Sequence, residues 1–319
     1  MAPKANDVRR YTAGYEVFEE WQLARFHHRS GLAHKIRSIP LGIRYLTLPH
    51  YFGAVPPIRQ KLRAFGGPRT LPDFACIGAL KSGTTDLASY LMQHPSILAP
   101  LTKEIGHSNT EAWKIYYPTV KEMDLVRRKT GYALSGHFDP LIHNLDLIDN
   151  YHAARPDAKI VLMLRDPVKR AYSHYKWDMF LGGKYGWFSP YMQSFEQYVD
   201  LALEMFPSPT PPTSLPTVPM LATGIYVNST KRWLDKFGRE NVLVVKAEDF
   251  FDDIGKTVRG IHEFLGVPPV EPDPHGVLNK NPLEFPPADD ASRARLYEFY
   301  KPWNEKLYDV LGRDLGWDR

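Results

Sequence analysis

The sequence predicts an α/β protein of three layers built on a central parallel sheet, and three observations carry that reading. Apolar runs of strand length recur at Phe74 to Leu80, Lys159 to Leu164 and Val242 to Val245. Helical periodicity separates them, and strands that read as continuous apolar runs are buried on both faces, as in a parallel sheet between helix layers. The third observation is a P-loop-like turn, Lys81-Ser82-Gly83-Thr84-Thr85, placed between the first strand and a helix.

The elements follow in order. After the first strand and its turn, Leu87, Tyr90 and Leu91 fall at i, i+3, i+4, and Pro95 closes that helix. The second strand runs directly into Arg165-Asp166-Pro167, with a helix expected from about Val168 to Phe180. Proline is harmless in a first helical turn, where its missing N–H has no intrahelical partner anyway. The third strand is preceded by a helix carrying Tyr226, Trp233, Leu234 and Phe237. A further helix has Ile254, Val258, Ile261 and Leu265 on one face, and a last helix spans Ala291 to Leu311. The segment Pro207 to Pro219 is too proline-rich for regular structure and is expected to be a long loop. Residues 1–70 are basic and aromatic, as in Arg25-Phe26-His27-His28-Arg29, and are expected to form a helical extension packing on a domain of residues 71–319.

A chain of 319 residues with 43% hydrophobic content supports one large domain with a substantial core. The formal charge of +4 suits a protein that handles anions but falls well short of a nucleic-acid binder. Cys76 is the single cysteine, so no intramolecular disulfide forms, and its apolar surroundings make it a small buried hydrophobe. No apolar run reaches about 18 residues, so no membrane span is expected. Met1 to Arg10 lacks the apolar stretch of a signal peptide. Together these point to a cytoplasmic protein. Oligomeric state leaves no mark in the sequence.

The turn is an anion site by its chemistry. Free N–H groups at a helix N-terminus point outward, and the helix dipole favours negative charge. Gly83 permits close backbone approach, Ser82, Thr84 and Thr85 add hydroxyls, and Lys81 adds a positive charge. Gly78 and Gly83 have the spacing of a nucleoside-triphosphatase P-loop, but Thr84 stands where that motif needs lysine. The second strand ends on Arg165 rather than on an acidic magnesium ligand. A metal-free site for a phosphate-like anion is the expectation.

At these residues the chain resembles the sulfotransferases that use 3′-phosphoadenosine-5′-phosphosulfate (PAPS), and most of all the carbohydrate, glycosaminoglycan-type branch. The resemblance covers roughly residues 72–317. The family's 5′-phosphosulfate loop is similar to Lys81 to Thr85. Its 3′-phosphate motif, an arginine ending a strand and a serine eight residues on, is similar to Arg165 and Ser173. Gly224-Ile225-Tyr226, Trp233-Leu234 and Lys246-Ala247-Glu248-Asp249-Phe250 also follow the family pattern. The resemblance implies PAPS as donor and 3′-phosphoadenosine-5′-phosphate (PAP) as product. Lys81, Ser82, Gly83, Thr84, Thr85, Arg165, Ser173, Tyr226 and, in a late basic loop, Lys280 are the implied nucleotide contacts. No metal is implied.

Sulfuryl transfer asks for positioning, in-line attack and charge stabilisation, with a general base on the acceptor hydroxyl. Lys81 is expected to neutralise charge on the departing oxygen. Two bases compete. Glu104, in Thr102-Lys103-Glu104-Ile105-Gly106-His107, matches the place where heparan-type members carry theirs. His137, in Ser135-Gly136-His137-Phe138-Asp139-Pro140, matches other branches, and imidazole needs less pKa tuning than a carboxylate. Glu104 ranks first and His107 third. This stretch departs from the Glu-Lys-Ser/Thr-Pro of many carbohydrate members, and the family's usual later disulfide is impossible with one cysteine. The expected acceptor is a hydroxyl of a glycan, with a small-molecule alcohol, phenol or amine as the alternative and a P-loop kinase behind both. Trp113, Tyr116, Tyr117, Trp177, Trp187 and Phe188 are candidate platforms for sugar rings.

Overall fold

The computed structural model describes residues 57–105, 108–185, 194–207, 220–278, 281 and 283–317. Its centre is a five-stranded, all-parallel sheet: β1 (Phe74–Gly78), β2 (Ile97–Leu98), β3 (Leu134–Asp139), β4 (Lys159–Leu164) and β5 (Val242–Lys246), in the order β2-β3-β1-β4-β5. The three expected strands are β1, β4 and β5. They read as unbroken apolar runs because both faces are covered. Ala75 and Ile77 pack on one side with Ile160, Leu162 and Leu164, while Phe74 and Cys76 pack on the other with Val161 and Met163. Buried side chains of this size each contribute roughly 1.5–3 kcal/mol. Burial pushes the Cys76 thiol up to about 12, so it behaves as the inert hydrophobe expected.

Helices fill both layers. On one face lie α2 (Thr84–Leu91), α10 (Ala247–Asp252) and α11 (Ile254–Leu265). On the other lie α5 (Leu145–Ala154), α9 (Val227–Phe237) and the end of α12 (Asp290–Leu311). A third cluster joins α6 (Pro167–Tyr185), α7 (Phe195–Met205), α8 (Met220–Thr223) and the start of α12 around Tyr175, Phe195, Tyr198 and Tyr300. Three further helices complete the described chain: α1 (Pro57–Ala64), α3 (Thr110–Trp113) and α4 (Val120–Thr130). Of the expected N-terminal extension, residues 1–56 lie outside the described residues. Helix α1 is tied to the domain by Arg63, which donates to the carbonyls of Ile115 (2.7 Å) and Tyr117 (3.0 Å). The proline-rich segment lies outside the described residues from 208 to 219. No helix among the described residues is long and apolar enough to cross a membrane.

Strand β3 is among the elements sequence reasoning missed, with β2, α5 and α7. Leu134-Ser135-Gly136-His137-Phe138-Asp139 has no apolar run, yet every residue but the first is buried. Gly136 is there because Phe74 crosses it edge-on. A Cβ would meet Phe74 Cζ at 2.5 Å, and the Phe74 and Phe138 rings pack T-shaped at 5.8 Å. Helix α4 was missed too, because it is polar nearly all round and buries only Met123. Its ends are set by a Thr119–Glu122 capping box and by Gly131 at φ 85°.

The topology places the site. From β1 the chain moves toward β2 and β3, whereas from β4 it moves the other way to β5. The carboxyl ends of β1 and β4 therefore flank the crevice where the strand order reverses, which is where open parallel sheets bind ligands.

Candidate active site

Both anion motifs sit at this crevice. The turn after β1 leads into α2, whose N-cap is Gly83 at φ 94° with no side-chain cap. The first-turn N–H groups are thus left for a ligand. Backbone packing is tight: a Cβ on Gly78 would meet Thr84 Cγ2 at 2.1 Å, and one on Gly83 would meet Phe251 Cζ at 2.5 Å. Ser82 is fully buried, and its Oγ has no hydrogen-bond partner among the described residues. A buried hydroxyl without a partner costs about 1–3 kcal/mol in the free protein. Lys81 has a left-handed backbone, φ 70°. Its Nζ lies over the Trp177 ring, 3.9 Å from the centroid. Burial pushes its pKa down to about 8, against the pull of Asp178 and Glu104.

Arg165 follows β4 and donates from Nη1 to the Lys81 carbonyl at 2.9 Å, joining the two motifs. Burial lowers its pKa, and Glu248, Tyr226 and Asp166 oppose the shift. Asp166 caps α6 by accepting from the N–H groups of Val168 (2.8 Å) and Lys169 (3.3 Å), with Pro167 at the first helical position. Ser173 lies on α6, half-buried. Tyr226 is buried and donates to the Arg165 carbonyl at 2.9 Å, so it acts by holding the strand end that carries the guanidinium. Lys280 lies outside the described residues. The loop it belongs to is anchored on both sides: Leu278 N–H donates to Asp86 Oδ1 (2.9 Å), and Asn281 Nδ2 donates to the Lys176 carbonyl (2.7 Å).

The two candidate bases lie at different depths. Glu104 lies on the loop after β2, beside the carboxyl end of β3, where its N–H donates to the Phe138 carbonyl at 3.2 Å. Its carboxylate pairs with the fully buried Lys103 and lies close enough to Lys81 and Asp139 to shift both. His137 sits two residues before the strand end. Its ring stacks on Trp113 (centroids 4.3 Å apart), and Nδ1 shares a hydrogen bond with the Tyr117 hydroxyl (2.8 Å). Its Nε2 is 3.9 Å from Asp139 Oδ2. Burial and the neighbouring Glu104 push Asp139 up to about 7. His107 lies outside the described residues.

Sequence reasoning also offered aromatic platforms. Trp113 and Tyr117 are completely buried and Tyr116 nearly so, all in the core on the His137 side, and none of them presents a face to an acceptor. They were legible only as aromatics, because burial depends on where α3 packs. Trp177 is occupied by Lys81. Trp187 and Phe188 lie outside the described residues. Asp139 and the buried side chains Arg170, His174 and Asp178 of α6 went unrecognised as site residues. Their polarity at helical or strand spacing reads as a solvated face until the fold covers it.

Fold and site together define an α/β protein with an uncapped helix N-terminus between the ends of β1 and β4, and without a P-loop lysine in the usual place. Residues 71–281 match the model of the sulfotransferase domain family, and the chain belongs to that family. It is 26% identical over 292 residues to human (Homo sapiens) heparan sulfate glucosamine 3-O-sulfotransferase 3A1, covering 82% of this chain and 66% of that protein. It is 25% identical over 308 residues to carbohydrate sulfotransferase 15 of Mus musculus, covering 76% of this chain and 54% of the relative. Among solved structures, a sulfotransferase from Alicyclobacillus acidocaldarius aligns at TM-score 0.58 and 29% identity, over 78% of this chain and all of that one.

Proposed function

We propose that this chain transfers the sulfuryl group of PAPS to a carbohydrate hydroxyl, with Glu104 as general base and Lys81 at the leaving oxygen. One observation carries the assignment: Lys81 (φ 70°) and Glu104 (φ 53°) are the non-glycine residues with positive φ among the described residues. Left-handed backbone costs such residues free energy and persists where the surroundings over-determine it, commonly at active sites. The two strained residues come from different loops, and their side chains interact electrostatically. The relatives named for carbohydrate sulfation support the acceptor class.

The residues present suit the donor. Ser82 Oγ is the buried hydroxyl lacking a partner, the α2 N-terminus is uncapped, and Arg165 lies across the crevice. When bound, PAPS supplies an activated sulfuryl group on a nucleotide leaving group. Ser82, Thr84, Thr85 and the first-turn N–H groups would hold its 5′ side, and Arg165 and Ser173 its 3′-phosphate. Lys81 neutralises negative charge gathering on the departing oxygen. Glu104 takes the acceptor's proton as the hydroxyl oxygen attacks in line. His137, the competing base, is engaged by the Trp113 ring and the Tyr117 hydroxyl.

The test is an acceptor panel with radiolabelled PAPS, spanning glycosaminoglycan oligosaccharides, simple glycosides, phenols and amines. Label should enter a sugar hydroxyl, and Glu104→Gln should lower kcat at least about 100-fold while PAP affinity stays near wild type. Label only in phenols or amines would overturn the acceptor class, and a wild-type rate for Glu104→Gln would overturn the base.

A further inference from the structure

Helix α1 turns an apolar stripe to solvent. Ile58 and Leu62 stand at i and i+4, and Phe65, just past the helix end, continues the same face at i+7. They are 57%, 67% and 87% exposed, and Phe65 and Leu62 are the two most exposed large apolar side chains among the described residues. The inner side of the helix is fixed to the domain. Arg63 donates to the carbonyls of Ile115 and Tyr117. Arg69 donates through Nη1 to the Tyr117 carbonyl (2.6 Å) and through Nη2 to the Arg63 carbonyl (3.1 Å). The Val120 N–H donates to the Pro68 carbonyl at 2.9 Å. These bonds lock α1 with its stripe outward, and a clustered apolar face held in water marks an interaction surface.

The charge around the stripe says what it meets. Between Glu20 and Asp73 the sequence holds nine Lys and Arg, six aromatic residues and no Asp or Glu. Over the whole chain the signs nearly balance, at 40 basic and 36 acidic residues, so the excess is local to this stretch. Lys61, on α1 itself, is exposed.

We propose that α1 and the acid-free stretch around it dock the protein on an anionic phospholipid surface. Ile58, Leu62 and Phe65 enter the boundary between headgroups and acyl chains, and Lys61 lies at headgroup level. Negative headgroups attract a basic segment that carries no carboxylate to oppose them. An acidic glycan would meet the charge but offers no apolar phase for the three side chains. A second copy of the chain, or residues 21–56 folded back, would set positive charge against positive charge. The proposal goes beyond the sulfuryl-transfer reading and stands independently of it.

The test is co-sedimentation of the full chain with vesicles of phosphatidylcholine containing phosphatidylserine, and with vesicles of phosphatidylcholine alone. The wild type should bind the anionic vesicles at least about 10-fold more tightly, and salt should weaken that binding. The triple variant Ile58→Ser, Leu62→Ser, Phe65→Ser should lose about 10-fold or more on anionic vesicles. Its melting temperature and its turnover of a soluble acceptor should stay at wild-type values, since the three side chains are exposed and outside the site. Lys61→Glu should weaken vesicle binding about 10-fold by reversing one charge. Equal binding to both vesicle types, or wild-type vesicle binding by the triple variant, would overturn the proposal. Three results would overturn it in favour of another occupant. Capture on a sulfated polysaccharide without vesicle binding would assign the stretch to an acidic glycan. A wild-type dimer that the triple variant dissociates would assign the stripe to a second copy. A lower melting temperature of the triple variant would assign it to residues 1–56.

Discussion

Arg165 Nη1 donates to the carbonyl oxygen of Lys81 at 2.9 Å, across 84 residues of sequence. The bond ties the end of β4 to the turn after β1. It is one of the outside contacts on the Lys81 backbone, whose φ of 70° persists only where the surroundings over-determine it. Each anion motif thereby depends on the other.

That dependence sets the first prediction. Arg165→Ala should weaken PAP binding about 10- to 100-fold, the worth of a lost hydrogen bond to a charged group. It should also lower kcat, because the Lys81 backbone loses its anchor. Arg165→Lys keeps the charge without the planar fork and should recover only part of the affinity. Calorimetric titration with PAP measures both, and unchanged affinity in Arg165→Ala would place the 3′-phosphate elsewhere.

Ser82 gives a prediction in which stability and binding move apart. Its Oγ is buried without a partner, so Ser82→Ala removes a desolvated hydroxyl from the free protein. The melting temperature without ligand should stay level or rise, while the stabilisation added by saturating PAP should shrink. Equal ligand-induced shifts in both proteins would remove Ser82 from the anion site.

Gly83→Ala should destabilise the fold by about 1–2 kcal/mol through its left-handed backbone alone. The added Cβ also meets the Phe251 ring at 2.5 Å, but that ring is 41% exposed and has room to turn. Adding Phe251→Leu should therefore recover only the smaller steric part. Urea unfolding of the single and double variants separates the two costs, and full recovery in the double variant would show that the backbone is relaxed.

Asp139 predicts a pH dependence of stability. Its folded-state pKa is raised to about 7 by burial and by Glu104. An unfolded carboxyl titrates near about 3.9, so between these values the native state binds the proton more tightly. Stability from this group therefore falls as pH rises from about 4 to 7. Asp139→Asn removes that slope, so its melting temperature relative to wild type should be higher at pH 8 than at pH 5. An identical difference at the two pH values would mean that ionising Asp139 costs the fold nothing.

Strands β1, β4 and β5 were legible because each is an apolar run closed by a recognisable turn. The turn Lys81 to Thr85 and the strand end at Arg165 were legible as structure for the same reason, since strand, turn and helix follow one another within a dozen residues. Strand β3 was not. Ser135 and His137 are tolerated in its interior only because the fold covers them, His137 with Trp113 stacked on it and the Tyr117 hydroxyl bonded to it. Arg170, His174 and Asp178 likewise look like the solvated side of a helix until α7 and α8 close over them.

By itself, then, the sequence determined the layer architecture and the family, because these rest on local pattern and short-range geometry. The tertiary structure decided which carboxylate meets Lys81. Glu104 arrives on the loop after β2, held to the end of β3 by its N–H on the Phe138 carbonyl. Side chains so far apart in sequence acquire a common electrostatic environment only when the sheet order brings the ends of β1, β3 and β4 together and burial removes the water between them.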